Sequence, residues 1–252
     1  RDYVFDFFSK KKVLMNDTAV AAQVPYSETD APRNSVTVAT AKPVGWTWDI
    51  GLSSRRGMGY VYSSAHIDDT SAEQTLLRHI QESGNANVSV DDFKRIEINP
   101  GYRSEFWHKN AVAIGLSAGF LEPLEASALV LVELSAKMLA EQLPRNRATM
   151  EIVRKRFNQT FAYRWQTIID FLKLHYVLSE RRDSDYWLDM RDTNTISDSL
   201  NELLTLWKHH PPETHDHQRI DEMFPAASYQ YVLYGMGSVP YTPLKPTATE
   251  HR

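Results

Sequence analysis

Cysteine is absent from the 252 residues, which excludes a disulfide framework, a thiolate zinc site, a thiolate-held iron–sulfur cluster and a cysteine nucleophile. No apolar run approaches the ~20 residues that a membrane-spanning helix needs. Neither sign of charge dominates: 28 Lys and Arg stand against 32 Asp and Glu, a balance of −4, so nothing electrostatic favours nucleic acid as a partner. The phosphate-cradling patterns G-x-G-x-x-G and G-x-x-x-x-G-K-[ST] are missing, as is the G-x-S-x-G turn of a serine nucleophile. What remains is ordinary globular composition, 42% apolar and 24% charged, with ample chain for a core in one large domain or two modest ones. These features predict a cytoplasmic protein without a membrane or nucleic-acid partner. The chain opens on Arg1-Asp2-Tyr3 with no initiator Met and no targeting pattern, which reads as the later part of something longer.

Strand signals fill the first third. Val36–Thr40 is a β-branched run, and Trp46, Trp48 and Ile50 share one parity, as residues on one strand face do. Glycines at 57 and 59 around Met58, followed by Tyr60-Val61-Tyr62, predict a hairpin across Leu52–Gly59. Asp68–Ser71 reads as a helix start, with the helix running through Ala72–Gln81 and closing at Gly84. Phe93–Ile98 alternates and breaks at Asn99-Pro100-Gly101. Tyr102–Ile114 predicts a strand pair, with Ala111–Ile114 apolar on both faces and so buried. Pro123 suits a first helical turn, and Leu124–Ala140 carries so few polar residues that it reads as a helix buried nearly all round. Helical spacing then governs Arg147–Leu178 and Thr195–His209, and a last short helix fits Ala227–Leu233. The fold class is therefore α+β, with a strand-rich region 1–144 that includes the helix 124–141, and a helical region 145–252. His209, His210, His215 and His217 crowd a Pro-bearing connection with no paired element to fix a metal's geometry, so they read as a solvated loop and no metal is expected.

Two stretches carry chemistry. In Glu122-Pro123-Leu124-Glu125, Glu125 lies in the first turn of an apolar helix. A carboxylate there is stabilised by the helix dipole and needs no other purpose. Yet burial and dipole pull its protonation in opposite directions, which is how proteins tune an acid–base carboxylate, and the first-turn amides are a ready anion site. Both readings stand on the residues alone. Trp46 and Trp48 on one face are ordinary core material, but Gly45, Gly51 and the Arg55-Arg56-Gly57 turn are unusual neighbours for plain core.

Gly45-Trp46-Thr47-Trp48-Asp49-Ile50-Gly51-Leu52, continuing through Arg55–Ser64, resembles the W-x-W-x-I-P region of flavin-dependent tryptophan halogenases. Ala113–Glu125 is similar to that family's G-L-x-x-G-F-x-E-P-L-E segment, and Leu174–Leu178, Asp183–Trp187 and Val232–Gly237 resemble its C-terminal part, all in family order. The resemblance implies a flavin-monooxygenase-like, FAD-binding fold. It also implies an enzyme that uses reduced FAD (FADH2), molecular oxygen and chloride or bromide to make hypohalous acid, which a lysine directs onto tryptophan, an indole or another electron-rich aromatic. A separate flavin reductase would supply the FADH2. By the same resemblance Glu125 is the catalytic carboxylate beside that lysine, and Ser127 and Ala128 hold the halide. Gly119 and Phe120 meet the cofactor, while Trp46, Trp48 and Ile50 line the substrate side and its tunnel.

The sequence departs from the family pattern in places. Ala126 replaces the serine after the glutamate, Gly51 replaces the proline, and Tyr229 stands where a tryptophan is expected. The dinucleotide fingerprint and the lysine precede the W-x-W region in the family. This chain therefore reads as a C-terminal portion that lacks a complete FAD site and is inactive by itself. A flavin-dependent aromatic monooxygenase and a non-catalytic aromatic-binding fragment are the alternatives.

Overall fold

A computed structural model of the chain describes residues 8–9, 13–26, 33–84, 88–219 and 221–240. Short strands open the chain: β1 (Phe8–Ser9), then β2 (Thr18–Pro25), β3 (Thr37–Ala41), β4 (Trp46–Gly51) and β5 (Arg55–Tyr62). With β6 (Lys94–Glu97), four of these build an antiparallel sheet in the order β3-β4-β5-β2-β6. The expected hairpin is present: β4 and β5 pair from Trp46 opposite Val61 to Gly51 opposite Arg56, and the Leu52 amide donates to the Arg55 carbonyl across 2.9 Å. Helix α1 (Asp69–Glu82) covers this sheet with Ala72, Leu76 and Ile80, spaced four apart and fully buried. Asp68 caps α1 by accepting the Ser71 amide at 2.9 Å.

Smaller pieces follow. β7 (Gly101–Arg103) pairs with β1 and β10 (Gly119–Phe120), while β8 (Trp107–His108) pairs with β9 (Ala111–Val112). The Ala111–Ile114 run is less buried than its composition suggests. Only Ala113 is shut away from solvent, because the paired segment is two residues long and lies at the edge of the core.

A 3-10 turn at Leu124–Ala126 precedes helix α2 (Ala128–Gln142), so the continuous helix expected from 124 is broken at its start. The expected all-round burial is also wrong. Leu131 and Ser135 are buried in α2, whereas Leu129, Val130 and Val132 are 81%, 44% and 37% exposed. An apolar run records an appetite for burial, and among the described residues nothing covers that face.

Helix α3 (Arg147–Val177) is about 46 Å long at ~1.5 Å per residue. The Asn158 carboxamide oxygen accepts the Phe106 and Trp107 amides at 2.9 and 2.7 Å, docking β8 onto this helix. The rings of Tyr102, Phe106 and Trp165 stack against one another, with Tyr102 and Trp165 centroids 5.5 Å apart. One hydrophobic cluster thereby draws residues from Leu14 to Met190. Short helices α4 (Asp185–Met190), α5 (Asp198–Leu206) and α6 (Ala226–Gly235) close the chain. Helix α5 is shorter than the expected span 195–209 because Asp192 and Ser197 each cap a separate start. Phe171, Leu200, Trp207, Tyr229 and Leu233 form a second cluster there. Mixed antiparallel sheet and packed helices make the architecture α+β.

Candidate functional site

The segment from Gly119 to Ala128 runs between two cavities. The smaller, about 410 Å³, has almost wholly apolar walls that include Gly119, Phe120, Glu122, Ala126, Ser127 and Ala128. The larger, about 600 Å³, is lined by Trp46, Leu124, His175, Tyr176, Arg181 and Trp187, among others. Leu124 faces one cavity and Ala126 the other, so Glu125 sits on the divide. Glu125 and Ala126 both lie in the left-handed region, at φ 65° and 47°, a conformation that costs a non-glycine residue roughly 1–2 kcal/mol. Two adjacent residues held there form a sharp ridge, which lifts the Glu125 side chain out of the line of α2.

The Glu125 carboxyl is 39% exposed, and its Oε1 lies 3.2 Å from Nε2 of His175. The other ring nitrogen, Nδ1, is 2.9 Å from the Phe171 carbonyl oxygen. A carbonyl only accepts, so Nδ1 donates there, and Nε2 is the nitrogen that faces Glu125. The Nε2 contact holds the Glu125 carboxyl against the imidazole, whose orientation the Nδ1 bond fixes. Phe171 meets the imidazole edge-on at 5.2 Å and sets its plane.

Burial singles out the other glutamate. The Glu122 side chain is 2% exposed. Its Oε2 accepts from Trp46 Nε1 at 3.0 Å, from the Tyr176 hydroxyl at 2.7 Å and from Asn16 Nδ2. Burial pushes this carboxyl above the usual carboxylate range, against the pull of those three hydrogen bonds.

Trp46 and Trp48 make an edge-to-face pair with ring centroids 6.3 Å apart. Trp46 is buried and lines the larger cavity, while Trp48 packs over Gly59, where a Cβ would run into its ring. Gly45, at φ 86°, lets the chain turn into β4 where a side chain would strike the Val61 carbonyl. Ile50 lies at the exposed end of β4 and reaches neither cavity. Arg56 pairs with Asp49 across the hairpin, with its Nε 3.0 Å from Oδ1.

Gly119, Phe120, Ser127 and Ala128 meet in the smaller cavity, and Trp46 belongs to the larger. Glu125 itself lines neither cavity and lies between Leu124 on the larger and Ala126 on the smaller. Glu122, His175, Tyr176 and Asn16 complete the site but escaped the sequence reading. For His175 a signal was there: it follows Phe171 by one helical turn, beside Tyr176, in a run already singled out by its resemblance. Tyr229 lines neither cavity; it backs Phe171 with ring centroids 4.8 Å apart.

Residues 5–250 match the sequence profile of the tryptophan halogenase family. The chain is 34% identical to 7-chloro-L-tryptophan 6-halogenase KtzR of Kutzneria sp. (strain 744), over 92% of this chain and 44% of that protein. Its fold resembles the crystal structure of a tryptophan halogenase from Shewanella frigidimarina NCIMB 400, with a TM-score of 0.89 and 49% identity over 96% of this chain and 46% of that one. It also resembles BrvH, a flavin-dependent halogenase from Brevundimonas sp. BAL3, with a TM-score of 0.82 and 35% identity over 92% and 45% of the two chains. The chain thus spans less than half the length of the relatives it matches.

Proposed function

Because this chain belongs to the tryptophan halogenase family, we propose that it forms the substrate-side part of a flavin-dependent halogenase acting on an indole-type aromatic, tryptophan included. The observation that carries this reading is the Glu125–His175 contact at 3.2 Å on a ridge between an aromatic-walled cavity and an apolar one.

The larger cavity suits a flat aromatic substrate. Trp46, Tyr176 and Trp187 supply ring faces and edges, with Arg181 5.1 Å above the Trp187 ring and hydrogen-bonded to Asp183. The smaller cavity suits the cofactor side. Its apolar wall can take a flat ring system, and α2 begins there at Ser127 with no side-chain cap, leaving first-turn amides for a small anion. Gly119 and Phe120 would meet the flavin, and Ser127 and Ala128 the halide. Reduced FAD with molecular oxygen and halide supplies the electrophilic halogen.

When the new carbon–halogen bond forms, the ring carbon keeps its hydrogen until a base removes it. Glu125 takes that proton on the carboxylate oxygen that His175 leaves free and, being 39% exposed, releases it to solvent, while His175 holds the carboxyl in place. Trp46, backed edge-to-face by Trp48, keeps the substrate from the cofactor side. A cytoplasmic location and a separate flavin reductase as partner belong to the same proposal; among the described residues no helix is long and apolar enough to cross a membrane.

The test is Glu125→Gln in the protein that carries this chain. Halogenation should fall by roughly 100-fold or more, the scale of a general-base contribution, while indole affinity and flavin binding stay unchanged. Retention of full halogenation would refute the assignment.

A further inference from the structure

Glu122 is the most deeply buried carboxyl near the ridge, and the proposed reaction gives it no task. Its hydrogen bonding is lopsided. All three donors converge on Oε2, and they come from separate parts of the fold: Asn16 from the segment before β2, Trp46 from β4 and Tyr176 from α3. The donors are organised by one another. Asn16 Nδ2 also lies 3.0 Å from the Tyr176 hydroxyl, and the Asn16 carboxamide oxygen accepts from Tyr186 at 3.0 Å. Within this buried cluster each of these polar atoms is satisfied except Glu122 Oε1, which has no partner among the described residues.

An ionised carboxyl spreads its charge over both oxygens, and half of it would rest on a buried oxygen without a donor. Leaving a neutral O–H without an acceptor costs far less than leaving charge there. The ionisable groups that bear on Glu122 are His175, Lys173, Tyr176 and Tyr186. Among the described residues none of them bonds to Oε1.

We propose that Glu122 is a positioning residue of the halogenation site: a carboxylic acid, protonated on Oε1, whose Oε2 pins Trp46 and Tyr176 as one wall of the substrate cavity. Trp46 and Tyr176 line the larger cavity while Glu122 lines the smaller. The acid group thus ties the two walls together three residues before Glu125. The catalytic consequence rests on the functional reading above; the state of the carboxyl does not.

The decisive variant is Glu122→Gln, which copies a neutral acid: one oxygen still accepts from the three donors, and an N–H replaces the O–H. Glu122→Ala removes the acceptor and strands three buried donors. Infrared spectra of the protein at neutral pH, in water and in heavy water, should show a deuterium-sensitive carbonyl band of a protonated carboxyl that Glu122→Gln abolishes. Glu122→Gln should hold kcat and the KM for indole within roughly threefold, whereas Glu122→Ala should raise that KM by roughly tenfold or more. Absence of the band, its survival in Glu122→Gln, or a Gln variant as impaired as Ala would each overturn the proposal. Should the Ala variant not fold, the band and the Gln variant still decide. Should the wild-type protein fail to halogenate, the functional reading fails, while the band and indole affinity test Glu122 independently.

Discussion

At the scale of single residues, two glutamates three positions apart exchange the roles their neighbourhood suggests. Glu125 precedes an apolar run and reads as buried, yet the left-handed turn at 125–126 carries it onto a half-open ridge. Glu122 looks like a residue of the turn, yet it is the one sealed in. Backbone reversal over two residues leaves no trace in apolar periodicity, so this swap was invisible in the sequence. Ala126→Gly tests the turn: relief of the φ 47° conformation should raise stability by about 0.5–1 kcal/mol in denaturant unfolding. Lys173 supplies a second prediction. Its ammonium is buried and bonded to the Met190 carbonyl at 2.6 Å and the Val13 carbonyl at 3.3 Å. Burial lowers its pKa from 10.5 to about 8. The folded chain therefore gives up this proton near pH 8 and the unfolded chain only near 10.5. Stability contributed by Lys173 is present above that upper value, and it is lost as pH falls towards 8. Burial of Tyr176 and Tyr186 acts in the opposite direction above their ordinary value of 10.0, because the fold holds protons there that the unfolded chain loses. Unfolding midpoints should thus climb between pH 8 and about 10 in the wild type and climb less in Lys173→Met, where Lys42, whose pKa burial also lowers, still contributes; a level wild-type profile would contradict the assignment.

At the scale of elements, the hairpin that carries Trp46 and Trp48 shows what pattern alone conveys. Gly57 and Gly59 occupy the same strand, β5, but only Gly59 lies beneath the Trp48 ring, and the space beside Gly57 is open. Gly59→Ala should cost about 1–3 kcal/mol through overpacking, and Gly57→Ala should stay within about 0.5 kcal/mol of wild type; equal effects of the two would refute this packing. The strands β4 and β5, helix α1 and helix α3 were legible because strong alternation, a capping Asp68 and a long helical stripe all agree locally. Element ends and burial were less so. The over-long reading of α5 missed a competing cap at Ser197, and α2 was read as core because composition reports apolar surface without saying what lies against it. Within the site, the residues of the glycine-rich and W-x-W segments were readable as local motifs. His175, Asn16 and Tyr176 were not, since they reach the ridge from positions 50 or more residues away.

At the scale of the whole molecule, the exposed side chains of Leu116, Leu129, Val130 and Val132 gather along α2 and the 3-10 turn at Gly115–Ser117 that packs against it. Contiguous apolar surface of this kind drives association. The 252-residue chain by itself should therefore self-associate in sedimentation experiments, and Leu129→Lys combined with Val132→Gln should shift it towards monomer; a wild type monomeric at high concentration would contradict this. The Glu122 cluster has a different consequence, one for the order of events in folding. It joins residues 106, 76 and 54 positions apart, so closing it requires three distant segments to be already in place. Contacts of such long separation are costly to form early. Removing one donor, as in Tyr176→Phe, should therefore leave the refolding rate near wild type and appear as faster unfolding, making the centre of the site the last part of the molecule to assemble and the first to come apart.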